Sequence, residues 1–347
     1  MSASERLVAA GEELPVISEP AAMFHDLASK VPKLEKFLKK MSHRPLRVAT
    51  MCSGTESPLL ALDKIADATE KLFGSRLNVE HVFSCEIEPF KQAYIERNFS
   101  PPILFRDIRE LKEKQAYTAY GALVDVPGNV DILVAGTSCV DYSNLNNEQK
   151  GLNEQGESGQ TFRGMKAWIM RCKPPVVILE NVCGAPWQQI VDDFASFGYT
   201  ADFLRLDTKR YYIPHTRTRV YLLAVLGDDD EGVLAQWKEV VKQLERPSSS
   251  TLEAFLFDTD DPRVNKGRQD LALPGEKNTR AETDWGRCQS RHIRARVEEK
   301  LGQQRPFTHW DGGCQLPDYA WNDWGKAQTD RVLDLMDIDY LLSLIHI

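Results

Sequence analysis

The chain has 347 residues, 42% of them hydrophobic and 27% charged, with a formal net charge of -8. That is enough for one large domain and a smaller companion, and the acidic total argues against a general nucleic-acid-binding surface. No apolar stretch reaches the roughly 20 residues a membrane helix needs, MSASERLVAAGEELP at the start is no secretory signal, and the seven cysteines form no C-x-x-C pair, so the expectation is a reduced, intracellular protein without a zinc or disulfide framework.

Residues 1–44 read as a polar lead-in carrying one helix, Met23 to Met41, with Phe24, Leu27, Val31, Leu34 and Leu38 on one face. Strand-like and helix-like runs then alternate. Leu46–Met51, Val79–Cys85, Ile103–Phe105, Asp131–Ala135 and Val176–Leu179 are predicted strands. Glu56–Leu72, Pro89–Phe99 and Thr161–Cys172 are predicted helices between them. Ala201–Leu206 and Val220–Val225, with Pro214 between them, suit an antiparallel pair. The alternation predicts an α/β fold with a doubly wound, mostly parallel sheet, whose ligands bind beyond the carboxyl ends of the strands.

After Asp228 the pattern breaks, and Arg246-Pro247-Ser248-Ser249-Ser250 has linker character. The rest reads as a second, irregular region. Between residues 263 and 305 it carries eleven Lys and Arg against six acidic residues. That is the local charge phosphate binding uses, although a solvated helix face explains Arg291–Lys300 equally well. Trp310, Trp321 and Trp324 suit a small core better than base stacking. The expected division is a lead-in over 1–44, a catalytic domain over 45–227, a recognition region over 228–335 and a tail over 336–347.

The unusual residues fall at strand ends. The first strand runs into the small-residue turn Cys52-Ser53-Gly54-Thr55, which lets a ligand approach the backbone and a helix start. The second ends in Glu86-Ile87, an acid suited to a ribose diol, and the third in Asp107-Ile108, an acid able to accept from an adenine amino group. No G-x-G-x-x-G turn is present, which argues against a pyrophosphate cofactor and for a nucleoside one, S-adenosylmethionine being the common case. The fourth strand ends in Gly136-Thr137-Ser138-Cys139 and the fifth in Glu180-Asn181-Val182. A thiol and a carboxylate so placed suit attack on a pyrimidine ring and its activation.

Gly136-Thr137-Ser138-Cys139, Glu180-Asn181-Val182 and Pro214-His215-Thr216-Arg217-Thr218-Arg219 resemble, in order and strand placement, the cytosine carbon-5 methyltransferases. The resemblance runs from about Leu46 to Val225. It is strongest to the type-5 DNA cytosine methyltransferases of fungi and algae, through Thr137–Asn144 and the Trp-rich stretch near Trp310–Trp324. It implies the S-adenosylmethionine-dependent methyltransferase fold plus a target-recognition region. It also implies catalysis by Cys139, Glu180, Asn181, Arg217 and Arg219. The cofactor would be held by Cys52, Ser53, Gly54, Thr55, Glu86, Ile87, Asp107 and Ile108, with no metal. The loop Asn144–Gln160 would close over a flipped base. The thiols of Cys52, Cys85, Cys172 and Cys183 are assigned to packing.

The chain departs from the family in three places. Ser138-Cys139-Val140 stands where most members have Pro-Cys-Gln, and His215 replaces a Gln before the Arg pair. The helix that returns to close the cofactor pocket has no counterpart, and the end, Leu342–Ile347, reads as non-native sequence after a truncation. The expected partners are duplex DNA and ATPase or helicase domains of the same native chain, in the nucleus. A tRNA cytosine methyltransferase and a non-catalytic cofactor-binding paralogue are the competing readings. A Cys139–His215 hydrolase leaves Glu180, Arg217 and Arg219 without roles.

Overall fold

A computed structural model of the chain describes residues 14–142, 150–229, 232–250, 252–271, 292–306, 328 and 330–345. The chain forms two compact units, Met1–Phe255 and Leu256–Ile347.

The first unit is built on a sheet of seven strands. Strands β1 (Leu46–Met51), β2 (Val79–Cys85), β3 (Leu104–Phe105), β6 (Ile132–Ala135) and β7 (Val176–Asn181) run parallel, in the order β3-β2-β1-β6-β7. Strands β8 (Tyr199–Asp207) and β9 (Thr218–Leu226) complete the sheet, with β9 antiparallel to both β7 and β8. A separate hairpin pairs β4 (Gln115–Tyr117) with β5 (Leu123–Asp125). The sheet interior is fully buried, with Val48, Ala49, Phe83, Leu133, Val177, Leu179 and Leu222 at 0% exposure. β6 and the first four residues of β7 are unbroken apolar runs, whereas Arg47, Thr50, Glu80, His81 and Ser84 interrupt β1 and β2.

Proline and left-handed residues punctuate the helices. Pro20, Pro58 and Pro89 sit in the first turns of α1 (Pro20–Lys30), α3 (Ser57–Phe73) and α4 (Pro89–Phe99), where their missing N–H costs nothing. Gly74 at φ +66 ends α3 by donating its N–H to the Glu70 carbonyl. The helix expected over Met23–Met41 is two helices, α1 and α2 (Leu34–Met41). Pro32 explains the break, because the residue before a proline is pushed out of the helical region, and Val31 is extended. Helix α5 (Glu157–Cys172) begins four residues earlier than its apolar pattern suggests, and α6 (Trp187–Ser196) and α7 (Val233–Gln243) complete this unit.

One apolar core spans the sheet. Trp168 of α5 and Phe105 of β3 both meet Phe83 edge-on, at 5.6 and 5.5 Å between ring centroids. Trp168 donates its indole N–H to the Pro127 carbonyl at 3.2 Å, so the buried ring leaves no orphan donor. Cys85 and Cys172 pack into or against this core, and Cys52 flanks it. Cys183 is exposed, so its assignment to packing is corrected.

In the second unit, α8 (Pro262–Leu271) and α9 (Arg294–Glu298) precede α10 (Asp330–Ile345). Leu301, Ile338 and Leu341 form its core cluster. Two residues of the basic stretch turn inward here. Arg296 binds the buried Asp334 at 2.5 Å, and the 9%-exposed Arg305 lies 3.3 Å from Asp337. These two arginines serve buried ion pairs rather than a phosphate-facing surface. Arg263 pairs with Asp261 and lies 3.7 Å from the centroid of the Phe257 ring. Trp310, Trp321, Trp324 and residues 143–149 of the polar loop lie outside the described residues. No described helix is long and apolar enough to cross a membrane.

The turn between β8 and β9 is braced from a distance. Tyr212, buried and at φ +68, donates its hydroxyl to Asp26 of α1. Its N–H goes to the Arg246 carbonyl at 2.8 Å, and Arg246, itself buried, donates to the Pro15 carbonyl at 2.6 Å. A left-handed non-glycine residue persists only when its surroundings over-determine it. Burial pushes the Asp26 carboxyl up, but hydrogen bonds from Lys30 and Tyr212 and the nearby Arg246 charge outweigh it and leave it below its ordinary 3.8. A lowered carboxylate contributes stability above that value and loses it as pH falls. Asp26→Asn should therefore lower stability by about 1 kcal/mol near neutral pH. The difference from wild type should shrink in thermal melts as pH falls below 3.8.

Candidate active site

The carboxyl ends of β1, β2, β3, β6 and β7 open into one cavity of about 770 Å³ within the first unit. Of the thirteen residues singled out in the sequence, ten line it: Cys52, Glu86, Ile87, Asp107, Ile108, Cys139, Glu180, Asn181, Arg217 and Arg219. Ser53, Gly54 and Thr55 do not. Ser53 turns inward, donating to the Thr50 hydroxyl at 3.0 Å, and Thr55 is exposed beside Ser57. The Gly54 N–H is committed to Glu86 at 2.8 Å.

Backbone amides hold Glu86 in place. One carboxylate oxygen accepts from Gly54, and the other accepts from Ile87 and Glu88 at 3.0 Å each. The turn after β1 needs left-handed backbone at Cys52, Gly54 and Glu56, at φ +53, +57 and +54. Only Gly54 adopts it without steric cost. Glu56 is anchored by its side chain, which is fully buried and accepts from Thr50 at 2.8 Å and from Ser84. Burial pushes its carboxyl up, hydrogen bonds from Ser84, Thr50 and Ser53 oppose this, and the other oxygen has no partner. This buried acid went unrecognised in the sequence, where it reads as the first residue of a helix.

Asp107 is engaged differently. Its two oxygens accept from the Arg109 backbone N–H and guanidinium at 2.6–3.0 Å. Burial raises its carboxyl, and the Arg109 hydrogen bonds and charge bring it below the ordinary value. An amino group bound at Asp107 has to displace part of that guanidinium contact. Arg109 also lines the cavity and donates to Gln160 at 3.1 Å. Its spacing of two residues from Asp107 was the available sequence signal.

The antiparallel register brings Glu180 and the arginines together. Glu180 lies opposite Tyr221, and Arg219, two residues before Tyr221, takes the diagonal position on the same face. Arg219 Nε stands 3.2 Å from Glu180 Oε1. Burial raises the Glu180 carboxyl, and the charges of Arg219 and Arg217 offset this only in part, so the net direction is upward from 4.5. Asn181 has a different task. Its buried amide donates to the Thr137 carbonyl at 2.9 Å and so ties β7 to the residues before Cys139.

Cys139 sits just past β6, partly buried. Two clasps join its loop to the first turn of α5. Asp141 and Ser158 bond reciprocally, at 3.0 and 2.7 Å, and the Ser138 N–H reaches the Thr161 hydroxyl at 3.2 Å. Gly156 is required here, since a Cβ there would lie 2.2 Å from the Asp141 carboxylate.

Comparison with known proteins places this geometry in a family. The profile described as C-5 cytosine-specific DNA methylase matches residues 47–311. The chain belongs to that family. The sheet, with β9 inserted antiparallel between β7 and β8, is the class I methyltransferase fold that this family has. DNA (cytosine-5-)-methyltransferase DMT5 of Cryptococcus neoformans is 56% identical over 336 residues, covering 95% of this chain and 14% of that protein. DMT5 of Verticillium dahliae is 32% identical over 363 residues, covering 85% of this chain and 15% of that protein. Type II methyltransferase M.HaeII of Haemophilus aegyptius is 29% identical over 175 residues, covering 47% of this chain and 50% of that protein. The chain thus spans about one seventh of the length of its two fungal relatives.

The raised Glu180 carboxyl means that folding favours its protonated form. Stability carried by this group falls as pH rises from 4.5 toward the raised value. Glu180→Gln, which mimics the protonated acid, should melt no lower than wild type near neutral pH. The margin in its favour should grow as pH rises from 4.5 toward the raised value in calorimetric scans.

Proposed function

We propose that this chain is the catalytic part of a DNA cytosine-5 methyltransferase. It transfers a methyl group from S-adenosylmethionine to carbon 5 of cytosine in duplex DNA, at CpG, through a transient bond between Cys139 and carbon 6. The observation that carries the reading is the convergence of Cys139, Glu180 and Arg219 on the cavity that Glu86 and Asp107 also line.

The cavity fits the cofactor. Three amides fix Glu86 and leave one acceptor position on the oxygen that faces Gly54, which suits a ribose hydroxyl. Ile87, 56% exposed, and Phe90, 70% exposed, line the same cavity and offer apolar surface to a purine. When bound, the cofactor supplies an electrophilic methyl group.

The chain's own residues make cytosine able to accept it. Carbon 6 is a weak electrophile until the ring is polarised. Glu180, with its carboxyl raised by burial, holds a proton at N3 and accepts from the exocyclic amine. Arg219, 3.2 Å from Glu180, keeps that carboxyl oriented and presents its remaining donors to the base carbonyl. The Cys139 thiolate adds to carbon 6, and the electron pair of the 5,6 double bond becomes available at carbon 5. After methylation, water takes the carbon 5 proton, that electron pair re-forms the 5,6 double bond and expels the thiolate, and the N3 proton returns to Glu180. Asn181 orders the Cys139 loop from behind and touches none of the reacting atoms.

The substrate is duplex DNA, and the second unit, with the chain around it, supplies its recognition surface. We infer further, from the resemblance to the type-5 DNA cytosine methyltransferases, that the native chain carries ATPase or helicase domains and acts in the nucleus; the two fungal relatives are long enough to hold them. The test is covalent trapping on duplex DNA containing 5-fluorocytosine, with cofactor present and the full-length protein. Wild type should form an adduct stable to denaturation, and Cys139→Ser should form none. Trapping that persists in Cys139→Ser would reject the thiol as nucleophile.

A further inference from the structure

The segment that carries Cys139 lies past the end of β6 and before the first turn of α5, in neither a strand nor a helix. Its backbone groups therefore need partners from elsewhere. The Thr137 carbonyl is met by Asn181, the Asp141 N–H by the Ser158 hydroxyl, and the Cys139 carbonyl by the Tyr142 N–H at 3.0 Å. The amide immediately before the nucleophile, that of Ser138, is met by a single side chain, Thr161.

The direction of that contact is fixed by chemistry. The Thr161 hydroxyl has one proton, which it donates to the Ser158 carbonyl at 3.0 Å. Its lone pairs are then free to accept from Ser138 at 3.2 Å. Ser158 and Thr161 are one helical turn apart on the same face of α5, so the two clasps on the Cys139 loop share one rigid support. Cys139 lies between the two clasped amides, those of Ser138 and Asp141.

We propose that Thr161 is a positioning residue for Cys139. Its hydroxyl fixes the Ser138 amide and thereby the height of the thiol over the base. This rests on the reading of Cys139 as the nucleophile. Thr161 lines the cavity beside Cys139, but its hydroxyl is committed to the Ser158 carbonyl and the Ser138 amide, so its effect appears in the rate of adduct formation rather than in affinity for DNA. A misplacement of the attacking atom by a fraction of an ångström is enough to slow attack by about tenfold.

The experiment compares wild type, Thr161→Val, Thr161→Ser, Ser138→Pro and the double variant Ser138→Pro/Thr161→Val, each in the full-length protein. Two readouts are taken: exchange of the Ser138 amide with deuterium, and the rate of covalent capture on 5-fluorocytosine duplex DNA. Thr161→Val should unprotect the Ser138 amide and slow capture about tenfold at unchanged DNA affinity, and Thr161→Ser should restore both. Proline has no N–H to satisfy. Ser138→Pro should therefore remain active, and adding Thr161→Val to it should cost less than about twofold. Wild-type capture by Thr161→Val, an inactive Ser138→Pro, or a full loss in the double variant would each overturn the proposal. Absence of capture by wild type with a protected Ser138 amide would instead remove the functional reading, and the positioning role with it, while leaving the contact itself in place.

Discussion

The antiparallel pairing of β9 against β7 is the constraint on which the site depends. In a wholly parallel sheet, every strand would deliver its carboxyl end to the cavity and no amino end. Because β9 runs the other way, its first residues meet the last residues of β7. That places Arg219 at the diagonal position from Glu180 and closes an ion pair of 3.2 Å across the mouth of the cavity. The pair is partly desolvated, and burial prevails over the arginine charges in setting the direction of the Glu180 shift. The surroundings of this acid therefore favour its protonated form over that of a free carboxyl.

The remaining structure serves to keep that meeting point still. Asn181 and the two clasps from α5 hold the Cys139 loop against β7. On the other side, the turn that leads into β9 is pinned through Tyr212 and Arg246 to α1 and to Pro15. The N-terminal helices thus reach the site indirectly, through the backbone of residues 208–217. Tyr212 and the Cys52–Glu56 turn also hold left-handed backbone at non-glycine residues. Such strain is tolerated where side chains such as Glu56 and Tyr212 find buried partners.

Much of this was legible in the sequence, for definite reasons. β6 and the start of β7 are unbroken apolar runs and β1 and β2 are rich in β-branched and apolar residues, so these strands were readable, and the polar residues at their ends stood out against that background. Cys139 and Glu180 were readable because each follows or ends an apolar strand run, and Arg219 through the resemblance carried by Pro214–Arg219. The Thr161 contact was not, because it depends on a distance set by packing rather than by spacing. Pro32 carried a signal that the apolar face of Met23–Met41 concealed. Glu56 was hidden for a related reason: its left-handed backbone and buried carboxylate follow from the turn around Gly54, not from any residue pattern. The inward turn of Arg296 and Arg305 was equally invisible, since charge alone does not reveal a buried partner.

If these strand tips form one site, it methylates carbon 5 of cytosine in DNA. The most direct measurement is mass spectrometry of nucleosides after incubating the full-length protein with methyl-labelled S-adenosylmethionine and either duplex DNA or tRNA. The account predicts labelled 5-methyldeoxycytidine from the duplex and none from tRNA. Label confined to tRNA, or found on another atom of the base, would contradict it.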